Sequence, residues 1–187
     1  MSSSTIAVMS VELERSRPPY RRILVPTDGS ALSQGAVFEA LELAASIGAS
    51  VVLLTVNEPF RVLTTSVEMI ESTREEYERH AEAHADKLLQ QAGAWADDAG
   101  VPHSSVRKWS DQPYEEIIKV AHEHNCDLIA MASHGRRGLS AIVLGSVTHK
   151  VLTHSDIPVL VLRKSVETTA QRSLSAAEGV HDNAGNS

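Results

Sequence analysis

SVVLLTV (50–56) and DLIAMAS (127–133) are apolar almost without interruption, as strands covered on both faces should be. RILVPT (22–27) is a shorter run of the same kind that stops at Pro26, and PVLVLR (158–163) is the last. HSSVRKW (103–109) is half-polar, which suits the edge of a sheet. The stretches between these runs have helical period. SALSQGAVFEALELAASIG (30–48) opens on Ser30, a candidate N-cap, and closes on Gly48, a candidate C′ residue. A long helix over about 67–99 places Tyr77, Ala81, Ala85, Leu88, Ala92, Trp95 and Ala99 on one stripe, and Gly100 ends it. PYEEIIKVAHEH (113–124) has Pro113 in its first turn with Glu115 and Glu116 near its positive end, and 145–154 makes a short last helix.

The order β-α-β-α-β-α-β-α-β implies one α/β domain, a five-stranded parallel sheet with right-handed crossovers and helices on both faces. Ligands of such sheets bind beyond the carboxyl ends of the strands, where the strand order reverses. The first and fourth strands flank that point, so their exits, PTDGS (26–30) and MASHG (131–135), form one site by topology. Residues 1–20 read as a flexible arm and 21–164 as the ordered domain. Residues 165–187 carry too few large apolar side chains to offset their ordering entropy and read as a disordered tail.

Composition narrows the partners. A net charge of −7 and an aromatic content of 4% argue against a nucleic-acid surface. The single cysteine, Cys126, excludes an intrachain disulfide, fits a reducing cytoplasm and reads as a packed, inert thiol. No apolar run approaches the roughly 20 residues of a membrane helix. The N-terminus has neither the basic start nor the apolar core of a signal peptide. The expectation is a cytoplasmic protein that meets no membrane.

Against that acidic background, residues 128–155 hold no carboxylate at all. They hold three glycines (Gly135, Gly138, Gly145), three cations (Arg136, Arg137, Lys150), and His134 and His149 as possible neutral donors. Gly145-Ser146 opens a helix, and a helix start offers unpaired N–H groups and partial positive charge to an anion. The window is neither a Walker A loop nor a G-x-G-x-x-G fingerprint. Taken singly, GRRG is an ordinary surface loop with solvated arginines. Joined to the helix start and the missing carboxylates, it points to a nucleotide polyphosphate.

Other residues read more plainly. Asp28 suits a hydrogen bond to a nucleoside or a magnesium contact, and equally a turn or cap before Ser30; the roles can coexist. His80 and His84, and His122 and His124, lack the cysteines or carboxylates that would complete a metal site, so the first pair reads as a solvated helix face. Trp95 and Trp109 read as packing residues. No Ser-His-Asp arrangement, no paired carboxylates at the crevice and no lysine aimed at phosphates is evident. Slow ATP hydrolysis, or autophosphorylation at Ser146 or Thr148, is the most the residues allow.

MASHGRRGLSAIVLGSVTHKVLTHSDIPVLVLR, with ILVPTDGS near the start and DQPYEEIIKVAHEHNCDLIAMAS before it, resembles the universal stress protein family over about residues 20–164. The resemblance implies a Rossmann-like, adenine nucleotide alpha hydrolase-like sheet of strand order 3-2-1-4-5, and ATP, with or without Mg2+, as ligand. The phosphate loop of the nucleotide-binding branch, G-x2-G-x9-G-[ST], falls here on Ala132, Gly135 and Gly145-Ser146, with Ala132 where the motif has glycine. By that register Gly135, Arg136, Gly145, Ser146 and Val147 border phosphates or ribose. Pro26, Thr27 and Asp28 line the adenosine side, Val56 meets adenine, and Met131 lies beside the ribose with Ala132. Family members commonly form homodimers by antiparallel pairing of the last strand, here Val159, Leu160, Val161 and Leu162. A stress-response regulator or chaperone-like role follows from the resemblance alone. Two other classes stay open: a dimeric interaction module with a vestigial phosphate loop, and an adenylate-forming or pyrophosphatase enzyme.

Overall fold

The computed structural model describes residues 19–60, 67–134 and 144–163, with the backbone alone over 67–73. Its elements follow in the order β1 (Arg22–Pro26), α1 (Ala31–Ile47), β2 (Ser50–Asn57), α2 (Val67–Asp98), β3 (His103–Trp109), α3 (Pro113–Glu123), β4 (Leu128–Ala132), α4 (Ser146–His154) and β5 (Val159–Leu162). The sheet is parallel throughout, in the order β3-β2-β1-β4-β5. This is the expected order 3-2-1-4-5, with the half-polar strand at one edge and the last strand at the other. The expectations for the N-terminal arm and the C-terminal tail fall outside the described residues, apart from residues 19 and 20.

Period-two alternation explains why the inner strands are continuously apolar. Ile23 and Val25, Val51 and Leu53, and Leu128 and Ala130 face α1 and α2. Leu24, Val52, Leu54, Ile129 and Met131 face α3 and α4. With helices on both sides, no position of β1, β2 or β4 can afford a charge at its centre. Ile23, Leu24, Val25, Leu53, Leu54 and Ile129 are wholly buried, each side chain contributing about 1.5–3 kcal/mol of transfer free energy.

The helix ends obey the sequence signals. Ser30 Oγ accepts from the Ser33 N–H at 3.2 Å, and Gly48 closes α1 at φ 68°, its N–H donating to the Ala44 carbonyl. Pro113 occupies the first turn of α3, with Glu115 and Glu116 beside it. The stripe of α2 needs correction. Its buried line is Ala85, Leu89, Ala92 and Ala96, while Leu88 and Trp95 are half-buried and Ala99 is exposed. Steps of about 3.6 residues from Ala85 land nearest Leu89, Ala92 and Ala96, whereas the expected set from Ala81 onward follows a seven-residue repeat. Such a repeat drifts off the buried face of a straight helix by about 20° per heptad. Trp95 packs on Phe38, ring centroids 4.2 Å apart, and so holds α2 against α1. No helix among the described residues is long and apolar enough to cross a membrane.

Candidate functional site

Beyond the carboxyl ends of β1, β2 and β4 lies a crevice of about 840 Å³. It forms where β1 and β4 run side by side and the chain departs in opposite directions across the sheet. Pro26, Thr27 and Asp28 border it from the exit of β1, Val56 from β2, Met131 and Ala132 from β4, and Gly145, Ser146 and Val147 from the start of α4. Nine of the eleven residues expected at a nucleotide therefore meet around one cavity; Gly135 and Arg136, like Arg137 and Gly138, lie outside the described residues.

The β1 exit is held by its own hydrogen bonds. The Thr27 N–H donates to the Leu54 carbonyl at 2.8 Å, and Thr55 Oγ1 donates to the Thr27 carbonyl at 3.2 Å. Thr27 Oγ1 lies 3.1 Å from Ser33 Oγ and accepts from the Gly29 N–H at 3.3 Å, so its hydroxyl serves the loop. Asp28 Oδ1 accepts from the Ser30 N–H at 3.0 Å, the local turn that aspartate favours. The turn role and the position at the crevice do coexist.

On the far side, the Gly145 N–H donates to the Ser133 carbonyl at 2.9 Å, and Thr148 Oγ1 donates to the Ala132 carbonyl at 3.0 Å. These two bonds fasten the first turn of α4 to the end of β4. Gly145 is the N-cap and no side chain caps the helix, which leaves first-turn N–H groups without the partner that Ser, Thr, Asp or Asn would supply. Ala132 pairs with Leu162 in the sheet, and Asn125 is the one described non-glycine residue with positive φ. Ala132 is thus extended backbone, which alanine adopts without strain.

Several expectations about side chains change. Lys150 does not border the crevice; its Nζ lies 4.7 Å from the centroid of the Tyr114 ring, a cation–π arrangement. His149 is exposed and also stands apart from it. Thr148, offered above as a modifiable hydroxyl, is buried and engaged. His80 and His84 are exposed, yet with Tyr77 and Ala81 they border the crevice, so their face of α2 is a wall and not merely a wet surface. Tyr77 Oη donates to the Glu58 carbonyl at 3.0 Å and Asn57 Nδ2 to the Ala81 carbonyl at 3.3 Å, which ties that wall to the end of β2. The spacing 77, 80, 81, 84 is the signal that could have found it, since it continues a helical face. Among the described residues no group of three His, Cys, Asp or Glu is placed to hold a metal ion. Cys126 lies elsewhere, in the core under α3, and burial pushes its thiol up to about 11.

A model of the universal stress protein family matches residues 19–163, the same stretch that builds the sheet and the crevice. The chain belongs to the universal stress protein family. Universal stress protein MJ0531 of Methanocaldococcus jannaschii is 32% identical over 150 residues, 78% of this chain and 83% of that one. UspA of Lactobacillus plantarum is similar in structure, with a TM-score of 0.68 at 25% identity over 77% of this chain and 98% of that one. A universal stress protein in complex with cAMP superposes with a TM-score of 0.58 at 25% identity, covering 78% of this chain and 98% of that one. As a universal stress protein, the chain has the Rossmann-like α/β fold of its family.

Proposed function

We propose that this universal stress protein binds an adenine nucleotide, ATP, across the β1–β4 crevice and serves in the cytoplasm as a nucleotide-responsive regulator or chaperone-like partner. The observation that carries the reading is the convergence of two unlike surfaces on one cavity. A helix start without a side-chain cap lies on one side and the apolar and carboxylate-bearing exits of β1 and β2 on the other. Phosphates suit the first, through N–H donors and partial positive charge; a nucleoside suits the second. The extended Ala132 supports the reading, because the residue that departs from the family motif brings no backbone strain. A similar protein at 25% identity was solved with cAMP, which also favours an adenine ligand. The role of these side chains is binding rather than turnover: Asp28 is engaged by the Ser30 N–H and Thr148 by the Ala132 carbonyl.

We also propose a homodimer through β5. Ile129 and Ser133 donate to the carbonyls of Pro158 and Leu162, so the even-numbered residues bond to β4 while Val159 and Val161 turn their N–H and C=O groups outward. An apolar edge of that kind is normally covered.

Chromatography of the denatured, purified chain tests the ligand, followed by calorimetric titration of the stripped protein. Released adenine nucleotide, or ATP heats that saturate below millimolar, is expected. Neither released nucleotide nor heat at millimolar ATP overturns the reading and leaves the interaction module with a vestigial loop.

A further inference from the structure

From Ala85 onward α2 lies on the core, with Ala85, Leu89, Ala92 and Ala96 buried. From Arg74 to His84 no side chain is fully buried. The sheet ends beneath the boundary between these two parts. Asn57, the last residue of β2, donates from Nδ2 to the Ala81 carbonyl at 3.3 Å. Arg107 of β3 donates to the Glu82 carbonyl at 3.4 Å and pairs with Asp86 at 2.7 Å. These ties mark a joint over 81–86. Beyond it α2 extends from Val67 to His80, roughly 14 residues or about 21 Å of helix. Surface pairs along this stretch, Arg74 with Glu78 at 2.7 Å and Glu76 with His80 at 3.6 Å, add little. Helices in proteins draw most of their stability from packing, so what fastens this length to the domain decides whether it stays wound. Tyr77 fastens it. Its ring lies 5.5 Å from that of Phe60 and 6.5 Å from that of Trp109, and its Oη donates to the Glu58 carbonyl at 3.0 Å.

We infer that the stretch of α2 before Ala81 is a gate of the crevice, latched by Tyr77 and opened by local unwinding from the joint, so that the latch sets how fast a nucleotide enters and leaves. The inference rests on the nucleotide reading above for its ligand, and adds to it the regulation of that site. Place supports it. Tyr77 and His80 border the crevice from one face of the sheet, while Pro113, Ile117 and the start of α4 border it from the other. Unwinding of α2 thus removes part of one side. Energetics supports it as well. Segments with few buried apolar contacts open locally at far less cost than global unfolding. Tyr77 is 38% exposed, so water competes for its hydroxyl bond and keeps the latch weak enough to release. Passage through the open population makes association and dissociation scale together with that population.

Tyr77→Phe removes the hydroxyl bond and keeps the ring. Amide hydrogen exchange on the full, nucleotide-free chain should be faster over 74–80 than over 85–96 in the parent. In Tyr77→Phe the first stretch should exchange about fivefold faster again, with the second unchanged. Stopped-flow mixing with ATP should then show the association and dissociation rate constants both raised about fivefold, whereas loss of an ordinary contact raises dissociation alone. Tyr77→Ala, which also removes the ring contacts, should exceed Tyr77→Phe in every one of these readouts. Equal exchange over 74–80 in the parent and both variants overturns the inference and leaves nucleotide binding standing. Faster exchange with ATP association unchanged overturns it too, making Tyr77 a purely structural tie. A parent chain that binds no ATP removes the nucleotide reading, and this inference with it.

Discussion

Gly29 adopts φ +78° in the loop between β1 and α1, and a Cβ built there would lie 2.6 Å from Leu88 Cδ2 and 2.8 Å from Leu88 Cδ1. The loop that carries Asp28 is therefore pressed against α2 through a contact only glycine permits. Gly29→Ala should lower stability by about 1–2 kcal/mol, from left-handed backbone strain and displacement of Leu88. In a Leu88→Ala background the same substitution should cost less, because the steric part is gone while the backbone part remains. Urea titrations of the four chains would read the coupling, and strict additivity would show that the contact carries no energy. Cys126 gives a pH signature. Its folded-state thiol keeps its proton up to about 11, whereas the ordinary value is 9.0. Between those values the unfolded chain binds fewer protons than the folded one, so stability falls as pH rises. Melting curves from about pH 8 to 11, the range of ordinary thiol titration, should show a decline that is shallower in Cys126→Ala. An identical decline in both chains would remove the buried thiol as its source.

At the scale of elements, α4 is held by Val151, wholly buried against the sheet, by its packing on α3 and by two bonds that fasten its first turn to the end of β4. Thr148→Val keeps the volume but leaves the buried Ala132 carbonyl without its donor. It should cost about 1–3 kcal/mol in stability and weaken ATP binding through the loosened helix start; unchanged melting would show that water replaces the hydroxyl. Helix ends and the buried strands were legible in the sequence for local reasons, the crevice through the alternation of strands and helices, and the strand order through the family resemblance. Ser30, Gly48 and Pro113 mark ends by their own chemistry, and an all-apolar run can lie only between two helical layers. The wall formed by Tyr77, His80 and His84 was not legible. Whether a given turn of a long helix lies over core or over crevice depends on where the sheet stops beneath it, and that is a matter of tertiary geometry. His134 was legible as a possible neutral donor, but that its Nε2 is buried without a partner depends on tertiary packing and was not.

For the molecule as a whole, the two rims of the sheet differ in kind. β3 exposes Ser104 and Ser105, and its Arg107 is paired with Asp86 at 2.7 Å and Glu82 at 3.5 Å, its Lys108 with Glu123 at 3.3 Å. β5 offers Val159, Leu160, Val161 and Leu162, all half-buried and uncharged. Val161→Pro removes an outward N–H without taking a bond from β4, so sedimentation should report half the parent's mass for this variant. A parent chain that already sediments as a single copy would end the dimer proposal. The asymmetry also limits growth. A ribbon can lengthen only if every building block has two adhesive margins, and this one has an apolar margin opposite an ionised one. The proposed joining through β5 would therefore use up the means of joining, and assembly would stop at its first step.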